Sequence, residues 1–301
     1  MNIKGQTAII TGATGKLASQ IVLAMAGAGA NCICIYNNNT LKAKKLEQEI
    51  KGISENVIAR SPLGTTKQSL LSLKKRDCFA SLAVTGSVFI KADLTNEENI
   101  EKVFAQIEKL DSTHSTWFDY AHHGRSGRAG LPRFAPPRIL INAASIFEKK
   151  PIGNLTFEYI RQTFDINFTA SVIITQKFVE LVQRNVKSKT KPLAKVINIT
   201  DITALRPPAG FSIYCASKAA LLSATKSHAK ELAPDFTVNA VSPGIISWSK
   251  GVTAAMKKKM LSLVPAGRAG SPEEVADAVK FLIENDYLTG QIINIDGGKT
   301  I

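Results

Sequence analysis

Short, mostly apolar runs alternate with longer amphipathic segments along most of this 301-residue chain. These runs occupy residues 7–10, 32–36, 88–92, 139–141, 196–199, 237–241 and 292–295. A strand that is buried on both faces of a sheet has this apolar pattern, and strands that alternate with helices form parallel sheets with right-handed crossovers. We therefore predict an α/β fold, in which one doubly wound domain holds a mostly parallel, seven-stranded sheet with helices on both faces.

Helix signals fill most of the segments between the apolar runs. Leu17, Ile21 and Met25 form one apolar stripe at helical spacing after the first run. Ser271-Pro272-Glu273-Glu274 has the pattern of a capping box with proline at the first helical position. Further helices are predicted from residue 40 to about 51, near 97–109, within 156–185 and from 213 to about 232.

Two stretches are too long to be ordinary connections in such a domain. Residues 53–87 and 111–137 are predicted to be surface insertions in a single domain that spans residues 1–301. Within the first stretch, the segment 68–84 has the spacing of an amphipathic helix. The second contains His114, His122 and His123, but no carboxylate or cysteine is spaced to complete a metal site, so we predict no metal.

Composition narrows the classes of partner. The net charge of +14 is spread along several helices rather than interleaved with aromatic residues, which favours attraction of an anionic cofactor over nucleic-acid binding. No run approaches the roughly 18 apolar residues of a membrane span, and the first residues lack a signal-peptide pattern. The cysteines show no metal-ligand or disulfide spacing. We predict a cytoplasmic protein without nucleic-acid or membrane partners.

The first apolar run leads into a glycine-containing turn, Thr11-Gly12-Ala13-Thr14-Gly15-Lys16. Between a strand and a helix, such a turn presents backbone N–H groups and a helix N-terminus to a pyrophosphate. An acidic residue at the end of the second strand would select NAD by binding the ribose 2′-hydroxyl, but Tyr36-Asn37-Asn38-Asn39-Thr40 contains none. Amides, a hydroxyl and Lys16 would instead meet a 2′-phosphate, so we predict that the cofactor is NADPH.

Asp201, Tyr214 and Lys218 form a second group of candidate functional residues. Tyr214 and Lys218 are four positions apart and therefore lie on one face of a helix. Asp201 follows the fifth apolar run, and the carboxyl end of a strand is where doubly wound enzymes place their working groups. We expect the Lys218 ammonium to lower the pKa of the Tyr214 phenol, which would suit the phenol to proton transfer near neutral pH.

The glycine turn and the Tyr-x-x-x-Lys spacing resemble the short-chain dehydrogenase/reductase family, which has a Rossmann-type fold and a Ser…Tyr-x-x-x-Lys catalytic signature. Three features are similar to its pteridine reductase and dihydromonapterin reductase branch. Asp201 stands where most members have serine, and Lys16 stands at a usual glycine position of the first turn. The stretch Asn142-Ala143-Ala144-Ser145-Ile146-Phe147 resembles that branch's Asn-Asn-Ala-Ser-x-Phe. The resemblance spans nearly the whole chain apart from the two insertions.

The resemblance implies a site for NADPH along the carboxyl ends of the strands. Asp93 would contact the adenine, Lys218 would bind the nicotinamide ribose, and the turn at Pro243 would face the nicotinamide amide. The full set of implied cofactor-binding residues is Gly12, Gly15, Lys16, Leu17, Tyr36, Asn37, Asn38, Asn39, Asp93, Leu94, Asn142, Ala143, Ala144, Lys218, Pro243, Gly244 and Ile246.

The resemblance also implies which residues perform the chemistry. Asp201, Tyr214 and Lys218 would be catalytic, and Asn167 would anchor a water relay. Substrate binding would fall to Lys16, Ser145, Phe147, Asp201 and Tyr214, with the Phe147 ring stacked on a pterin.

The carboxylate at position 201 bears on the kind of bond that is reduced. A negative charge there would repel the alkoxide that forms from a ketone, whereas the nitrogen of a C=N bond gains a proton. We therefore predict hydride transfer from NADPH to the C6=N5 bond of a 7,8-dihydropterin, which gives the tetrahydro form. The proton would come from Tyr214 or from Asp201 through water, and the substrate would be of the dihydrobiopterin, dihydromonapterin or dihydrofolate type.

Two other functions stay open at this point. A carbonyl reductase of the same family, such as a 3-oxoacyl-carrier-protein or sugar reductase, would share most motifs, but Asp201 and the 142–147 stretch disfavour it. A non-catalytic protein that binds NADPH or nucleic acid is disfavoured by the intact Tyr214 and Lys218 pair. The resemblance also implies a homo-oligomer, a tetramer or dimer, on two helices near 160–184 and 213–232. The apolar residues compatible with that interface are Val172, Ile173, Ile174, Phe178, Val179, Ala219, Leu221 and Leu222.

Overall fold

Seven strands form one sheet in the computed structural model, which describes residues 1–59, 86–112, 134–186, 190–248 and 251–301. The strands are β1 (Thr7–Thr11), β2 (Asn31–Tyr36), β3 (Ser87–Lys91), β4 (Pro137–Asn142), β5 (Ala194–Ile199), β6 (Phe236–Pro243) and β7 (Ile292–Ile295). Their order is β3-β2-β1-β4-β5-β6-β7, and every neighbouring pair is parallel. The predicted fold class, a single doubly wound α/β domain, is confirmed.

Helices connect the strands and cover both faces of the sheet. Those in the described residues are α1 (Lys16–Gly27), α2 (Thr40–Ala59), α3 (Glu97–Ser112), α4 (Phe157–Phe164), α5 (Ala170–Asn185), α6 (Ser212–Glu231), α7 (Ala254–Leu261) and α8 (Pro272–Glu284). Short 3₁₀ turns lie at Ile152–Asn154 and Ile202–Ala204. The predicted capping box of α8 forms, since Ser271 and Glu274 exchange side chain-to-backbone hydrogen bonds.

Two apolar cores lie on opposite sides of the sheet. Ile10 belongs to the core under α1, α2 and α8, which includes Met25 and Leu46. The neighbouring residue Ile9 belongs to the core under α3 and α5, which includes Phe178. Successive strand residues point to opposite faces, and both faces here are covered by helices. This double burial explains why the strands appear in the sequence as continuous apolar runs.

Two helices differ from their sequence-based predictions. α2 extends to Ala59 rather than ending near residue 51, because a lone Gly52 weakens a helix by only about 1 kcal/mol and no proline lies between residues 52 and 59. The long helix predicted within 156–185 is interrupted by a π-helical turn, Asp165–Thr169, between α4 and α5. An apolar repeat does not reveal one extra residue in a helical turn, so the sequence offered no signal for this interruption.

The two predicted insertions fall mainly on residues 60–85 and 113–133, which lie outside the described residues. The helix predicted at 68–84 and the three histidines of the second stretch lie there too. The insertions therefore stay predictions. In the described ranges, no helix has the length and apolar character needed to cross a membrane.

The residues assigned to an oligomer interface divide into two sets. Ile174, Phe178, Leu221 and Leu222 are buried in the single chain, with at most 6% of their surface exposed. Their apolar character is explained by the core of the monomer, so they cannot serve as surface contacts. The other members are partly exposed and stay candidates: Val172, Ile173, Val179 and Ala219.

Candidate active site

A cleft runs along the carboxyl ends of the strands, where the order reverses between β1 and β4. It consists of two adjoining cavities of about 320 and 310 Å³ that share Gly15, Ala143 and Ser145. The first cavity is lined by predicted cofactor residues at Gly12, Tyr36, Asn37, Asn38, Asn39, Asp93, Leu94 and Ala144. The second is lined by predicted cofactor, substrate and catalytic residues at Lys16, Leu17, Phe147, Asp201, Tyr214, Lys218, Pro243, Gly244 and Ile246.

The glycine turn after β1 is held against the loop after β4. Gly12 has a φ of +64°, and a Cβ at this position would lie 2.7 Å from the Ala144 Cα, so no larger residue fits. The Thr11 hydroxyl accepts hydrogen bonds from the backbone N–H groups of Ala143 and Ala144 at 3.0 and 3.1 Å. The turn and the loop therefore form one rigid floor between the two cavities.

The start of α1 fits the pyrophosphate of a dinucleotide. Its N-cap residue, Gly15, provides no side-chain hydrogen bond. The N–H groups of the first helical turn are left for a ligand, and the positive end of the helix dipole favours an anion there. Lys16 stands at this position and lines the second cavity. The residues present thus fit a nicotinamide dinucleotide.

The end of the cleft that is predicted to hold the adenosine lies where β2 and β3 end. The lining residues directly after β2 are Asn37, Asn38 and Asn39, and none of them is acidic. Asp93, after β3, accepts hydrogen bonds from the Thr95 backbone and hydroxyl through Oδ1, at 3.0 and 2.9 Å. Asp93 also lines this cavity, so its local turn role does not exclude the predicted adenine contact.

Asp201 and Tyr214 are in direct contact at the other end of the cleft. The Tyr214 hydroxyl donates a hydrogen bond to Asp201 Oδ2 at 2.8 Å. The other carboxylate oxygen, Oδ1, accepts from the Thr203 backbone N–H at 2.8 Å and from its hydroxyl at 2.7 Å. Asp201 follows β5 and caps the 3₁₀ turn that begins at Ile202. The carboxylate is thereby fixed in one orientation, with one oxygen on the turn and one on the phenol.

Lys218 does not act on the phenol in the way the sequence predicted. Its ammonium donates to the Ile199 carbonyl oxygen at 3.0 Å and lies 6.0 Å from the centre of the Tyr214 ring. Burial lowers the pKa of Lys218 to about 8. Burial, followed by the Asp201 carboxylate, raises the pKa of Tyr214 well above its usual value. The expected depression of the phenol pKa is therefore wrong, and burial favours the protonated form of Tyr214.

Asn167 lies behind the cleft, in the π turn between α4 and α5. It is fully buried, and its Oδ1 accepts a hydrogen bond from the Ile146 backbone N–H at 2.8 Å. Its amide nitrogen donates to the Ile146 carbonyl at 3.1 Å and to the Ser217 hydroxyl at 3.0 Å. Both amide hydrogens are therefore in use, and Asn167 joins the 145–147 loop to α6. Its predicted role as a water anchor stays a prediction.

Substitution of Asn167 tests this joining role. We expect Asn167→Ala to lower the free energy of unfolding by about 1–3 kcal/mol, because buried polar groups at Ile146 and Ser217 lose their partner. Urea unfolding followed by circular dichroism measures the change. The exposed Asn154→Ala is the matched control and should change stability by less than about 0.5 kcal/mol. Equal changes in the two variants would contradict the role.

Asn142 is the predicted cofactor residue that the structure places away from the cleft. The residue is 1% exposed, and its side chain is buried against β5 and α5. Its amide nitrogen donates to Asn198 Oδ1 at 2.9 Å and to the Thr175 hydroxyl at 3.1 Å. Any contact of this residue with a cofactor would have to come from its backbone.

An aromatic wall closes one side of the second cavity. The Phe147 ring stacks on Phe211, with ring centres 4.8 Å apart, and meets the Tyr214 ring edge-on at 4.7 Å. Phe147 remains 52% exposed. Phe211, which immediately precedes α6, was missed by the sequence analysis. The available signal was its position three residues before Tyr214, because residues at this spacing lie on one face of a helix.

The end of the cleft that is predicted to hold the nicotinamide is bounded by the turn after β6. The Gly244 backbone N–H donates to the Ile295 carbonyl oxygen at 2.9 Å, and a Cβ on Gly244 would lie 2.8 Å from the Asp296 Cα. Glycine is therefore required where this turn meets the chain after β7. The described residues hold no group of three metal-ligating side chains. Cys32 and Cys34 are buried, and burial raises the pKa of Cys32 to about 12, so both are packing residues.

Comparisons with known proteins place this geometry in a family. A family model described as enoyl-(acyl carrier protein) reductase matches residues 132–300. The 3-oxoacyl-[acyl-carrier-protein] reductase FabG of Rickettsia bellii is 29% identical, over 99% of this chain and 98% of the relative. The NAD-dependent glycerol dehydrogenase of Listeria innocua is 31% identical, over 77% of this chain and 83% of the relative. Neither relative is named as a pteridine reductase.

A solved structure shares the fold over its whole length. The crystal structure of a blue fluorescent protein from a metagenomic library, in complex with NADPH, covers 100% of both chains with a TM-score of 0.72 at 23% identity. The family model extends over more than half of this chain, through β4 to β7 and the Tyr214–Lys218 pair. The chain belongs to the short-chain dehydrogenase/reductase family.

Proposed function

We propose that the protein reduces the C=N bond of a dihydropteridine to the tetrahydro form with NADPH. The substrate would be of the dihydrobiopterin, dihydromonapterin or dihydrofolate type. One observation carries the proposal: the Asp201 carboxylate lies 2.8 Å from the Tyr214 hydroxyl, at the place where a substrate would receive its proton. NADPH, when bound, supplies the hydride.

The charge of Asp201 discriminates between substrates. A ketone that accepts a hydride becomes an alkoxide, and a carboxylate beside its oxygen raises the energy of that transition state. A pteridine C=N bond accepts a hydride at carbon and a proton at nitrogen, so a neighbouring negative charge stabilises the protonated, cationic character of the ring. Asp201 cannot move away, because its Oδ1 is held by Thr203.

Tyr214 and Lys218 have separate tasks in this proposal. Tyr214 keeps its proton because burial and Asp201 raise its pKa, and a proton that its hydroxyl gives to the substrate nitrogen would be replaced from solvent. Lys218, whose ammonium is anchored on the Ile199 carbonyl, lines the cavity where a nicotinamide ribose would bind. Its positive charge also offsets the carboxylate of Asp201, which raises the Lys218 pKa against the effect of burial.

The aromatic wall supports a planar substrate. Phe147 lines the second cavity beside Tyr214, and the Phe211 ring stacked on it supports it from behind. Aromatic rings prefer offset-stacked or edge-to-face contacts with one another. A bicyclic heteroaromatic ring would therefore gain binding energy from stacking as well as from burial, whereas a flexible acyl chain would gain it from burial alone. Ser145 lines both cavities and is placed to hydrogen-bond a polar ring edge.

A second candidate is reduction of a 3-oxoacyl thioester. The comparisons favour this candidate over the pterin, because the relative from Rickettsia bellii that spans the whole chain is named as such a reductase. The matching family model is also described by acyl-carrier-protein chemistry. Asp201 distinguishes the two candidates, since a ketone substrate needs a neutral donor where this chain has a carboxylate.

Initial rates with a panel of substrates test the proposal. The assay follows NADPH oxidation with dihydrobiopterin, dihydromonapterin, dihydrofolate and an acetoacetyl thioester at equal concentrations. We expect turnover of at least one dihydropterin and a much lower rate with the thioester. Turnover of the thioester alone would establish the second candidate. An absence of turnover, together with salt-sensitive binding to DNA or RNA, would establish a non-catalytic binding protein.

The proposal has three further parts. We include NADPH rather than NADH, a cytoplasmic location and a homo-oligomer, a tetramer or dimer, on the exposed parts of α5 and α6. The positions directly after β2 are Asn37, Asn38 and Asn39, so no acidic residue stands where it would bind the ribose 2′-hydroxyl of NADH. This supports NADPH as the cofactor. Support for the oligomer comes from the partly exposed apolar residues Ile173 and Val179.

The pH dependence of the reaction should follow the protonation state of Lys218. Its ammonium is protonated below a pKa of about 8 and neutral above it, so we expect kcat/KM to fall as the pH rises through this value. Tyr214 should stay protonated over the same range, because its pKa is raised. Ultraviolet difference spectra of the wild type against Tyr214→Phe would detect tyrosinate. A fall in activity that coincides with tyrosinate formation at Tyr214 would contradict this assignment.

A further inference from the structure

A short segment beyond the aromatic wall carries charges that the catalytic proposal does not use. Lys149 and Lys150 follow Phe147 in the chain, and neither of them lines the second cavity. The Lys150 backbone N–H donates a hydrogen bond to the Gly210 carbonyl oxygen at 2.7 Å. Gly210 directly precedes Phe211, whose ring stacks on Phe147. The two chain segments that carry the stacked rings are therefore joined again at the rim of the cavity.

The position of the Lys149 side chain follows from its contact with Gly210. A Cβ at Gly210 would lie 3.0 Å from Lys149 Cε and 3.2 Å from its Cγ, so the lysine stem lies along this backbone. Lys149 is exposed. Its ammonium is therefore outside the second cavity, at the outer end of the aromatic wall. Only a part of the substrate that extends beyond the cavity could reach it.

Lys149 differs from the neighbouring lysine in the partners of its charge. Lys150 lies 3.6 Å from Glu148 Oε1 and 5.0 Å from the centre of the Tyr159 ring. Among the described residues, Lys149 has neither an ion pair nor a side-chain hydrogen bond. Arg206 is exposed on the segment between the 3₁₀ turn at 202–204 and α6, and it has no ion pair within the described ranges either. The rim of the catalytic end of the cleft is therefore cationic.

We propose that Lys149 is a specificity-determining residue that binds a carboxylate on the side chain of the substrate, and that the substrate is a dihydropterin with an acidic tail, of the dihydrofolate type. The inference rests on the proposed function and selects among its substrate types. The side chains of dihydrobiopterin and dihydromonapterin carry hydroxyl groups and no anion. The glutamate of dihydrofolate carries carboxylates at the end of a long substituent, which would leave the cavity when the pterin ring stacks on Phe147. A lysine ammonium forms a charge-assisted hydrogen bond with a carboxylate.

The contact with Gly210 favours this role. A lysine loses rotamer freedom when its ammonium is held by a ligand. The Lys149 stem already lies along the Gly210 backbone, so part of this ordering is present before the substrate binds. The ammonium remains exposed, so water screens its attraction for a carboxylate and the effect on affinity should be that of an exposed ion pair.

The test measures binding of folic acid and of biopterin to the full chain by titration calorimetry. NADP⁺ is present at saturation, so no hydride is transferred. Folic acid carries the glutamate carboxylates, whereas biopterin carries the same ring system without an anion. The test variant is Lys149→Met, which removes the charge and keeps an unbranched stem on Gly210. All titrations use one ionic strength, because salt screens exposed charges.

Lys4→Met is the matched control. Lys4 is exposed, and its stem also lies along a glycine backbone, since a Cβ at Gly29 would lie 3.1 Å from Lys4 Cγ. Lys4 precedes β1, so it lies at the opposite edge of the sheet from the cleft. The two variants therefore remove the same charge from the same kind of position, and only one of these positions is beside the aromatic wall.

We expect Lys149→Met to weaken binding of folic acid about fivefold and to change binding of biopterin by less than about twofold. Lys4→Met should change both affinities by less than about twofold. Lys149→Arg should bind folic acid as the wild type does, because it keeps a cation at this position. Equal losses of folic acid affinity in the two methionine variants would overturn the inference. An equal loss for both ligands in Lys149→Met, or no loss, would also overturn it.

Failure of this inference is distinguishable from failure of the proposed function. A wild-type protein that binds both ligands, with no effect of Lys149→Met, would reject the carboxylate contact alone. A wild-type protein that binds neither ligand would reject the pterin assignment, and the inference with it.

A kinetic measurement gives a second readout. With dihydrofolate, Lys149→Met should raise KM more than it lowers kcat, as expected for a residue that binds the ground state and the transition state alike. Equal falls in kcat with dihydrofolate and dihydrobiopterin would overturn the inference, because they would show that Lys149 supports the structure of the cleft.

Discussion

Replacement of Tyr214 by phenylalanine should lower kcat by on the order of 100-fold or more, because proton transfer from a positioned side chain contributes about that much. The substitution removes only the hydroxyl that lies 2.8 Å from Asp201. The ring, and with it the edge-on contact to Phe147 at 4.7 Å, is retained. Initial rates at saturating NADPH and substrate measure the effect.

The control for this prediction is binding rather than turnover. The affinity for NADPH, measured by fluorescence titration, should stay within about twofold of the wild type, since the hydroxyl is not needed to hold the dinucleotide. The free energy of unfolding should fall by at most about 3 kcal/mol, because Asp201 loses one hydrogen bond. Unchanged kcat in Tyr214→Phe would remove Tyr214 from the mechanism and leave Asp201 with a bound water as the proton source.

Replacement of Asp201 by serine should reverse the substrate preference. We expect the rate with a dihydropterin to fall by on the order of 100-fold, because the charge that stabilises the protonated ring is lost. The rate with an acetoacetyl thioester should rise, on the order of tenfold or more, because a neutral donor replaces a carboxylate beside the developing alkoxide. The ratio of kcat/KM for the two substrates is the measurement.

Asp201→Asn separates charge from shape in the same experiment. In the wild type, Asp201 Oδ1 accepts a hydrogen bond from the Thr203 backbone N–H at 2.8 Å. The asparagine side chain also has an oxygen that can accept this hydrogen bond, but it has no charge. This variant should lose the dihydropterin rate as Asp201→Ser does while it retains the stability of the wild type. Full activity of Asp201→Asn with a dihydropterin would show that the charge is not the cause of the preference, and the second candidate would then stand.

The fold was predictable from the sequence because its signals are local and repeated. Each buried parallel strand is an apolar run, and the start of α8 carries its own capping residues, Ser271 and Glu274, which bond to each other in the structure. Strand and helix existence follows from such patterns, whereas boundaries do not. The end of α2 and the π turn at Asp165–Thr169 were missed for this reason.

The candidate site was predictable as a set of residues but not as a set of interactions. The proximity of Asp201 to Tyr214 follows from the topology, which brings the end of β5 to the start of α6. The upward shift of the Tyr214 pKa does not follow, because the sequence shows the lysine one turn away but not the burial that is the largest cause of the shift. The stacking of Phe211 on Phe147 joins two loops that are distant in the chain.

The single side chain at position 201 has consequences for any attempt to redesign this enzyme. One of its oxygens shapes the backbone through Thr203, and the other contacts the proton donor. Selection from a library randomised at this codon alone would retain only residues with a short side-chain acceptor, whatever activity was sought. A wider change of substrate specificity would require a library that varies positions 201 and 203 together, so that folding and chemistry can be optimised independently.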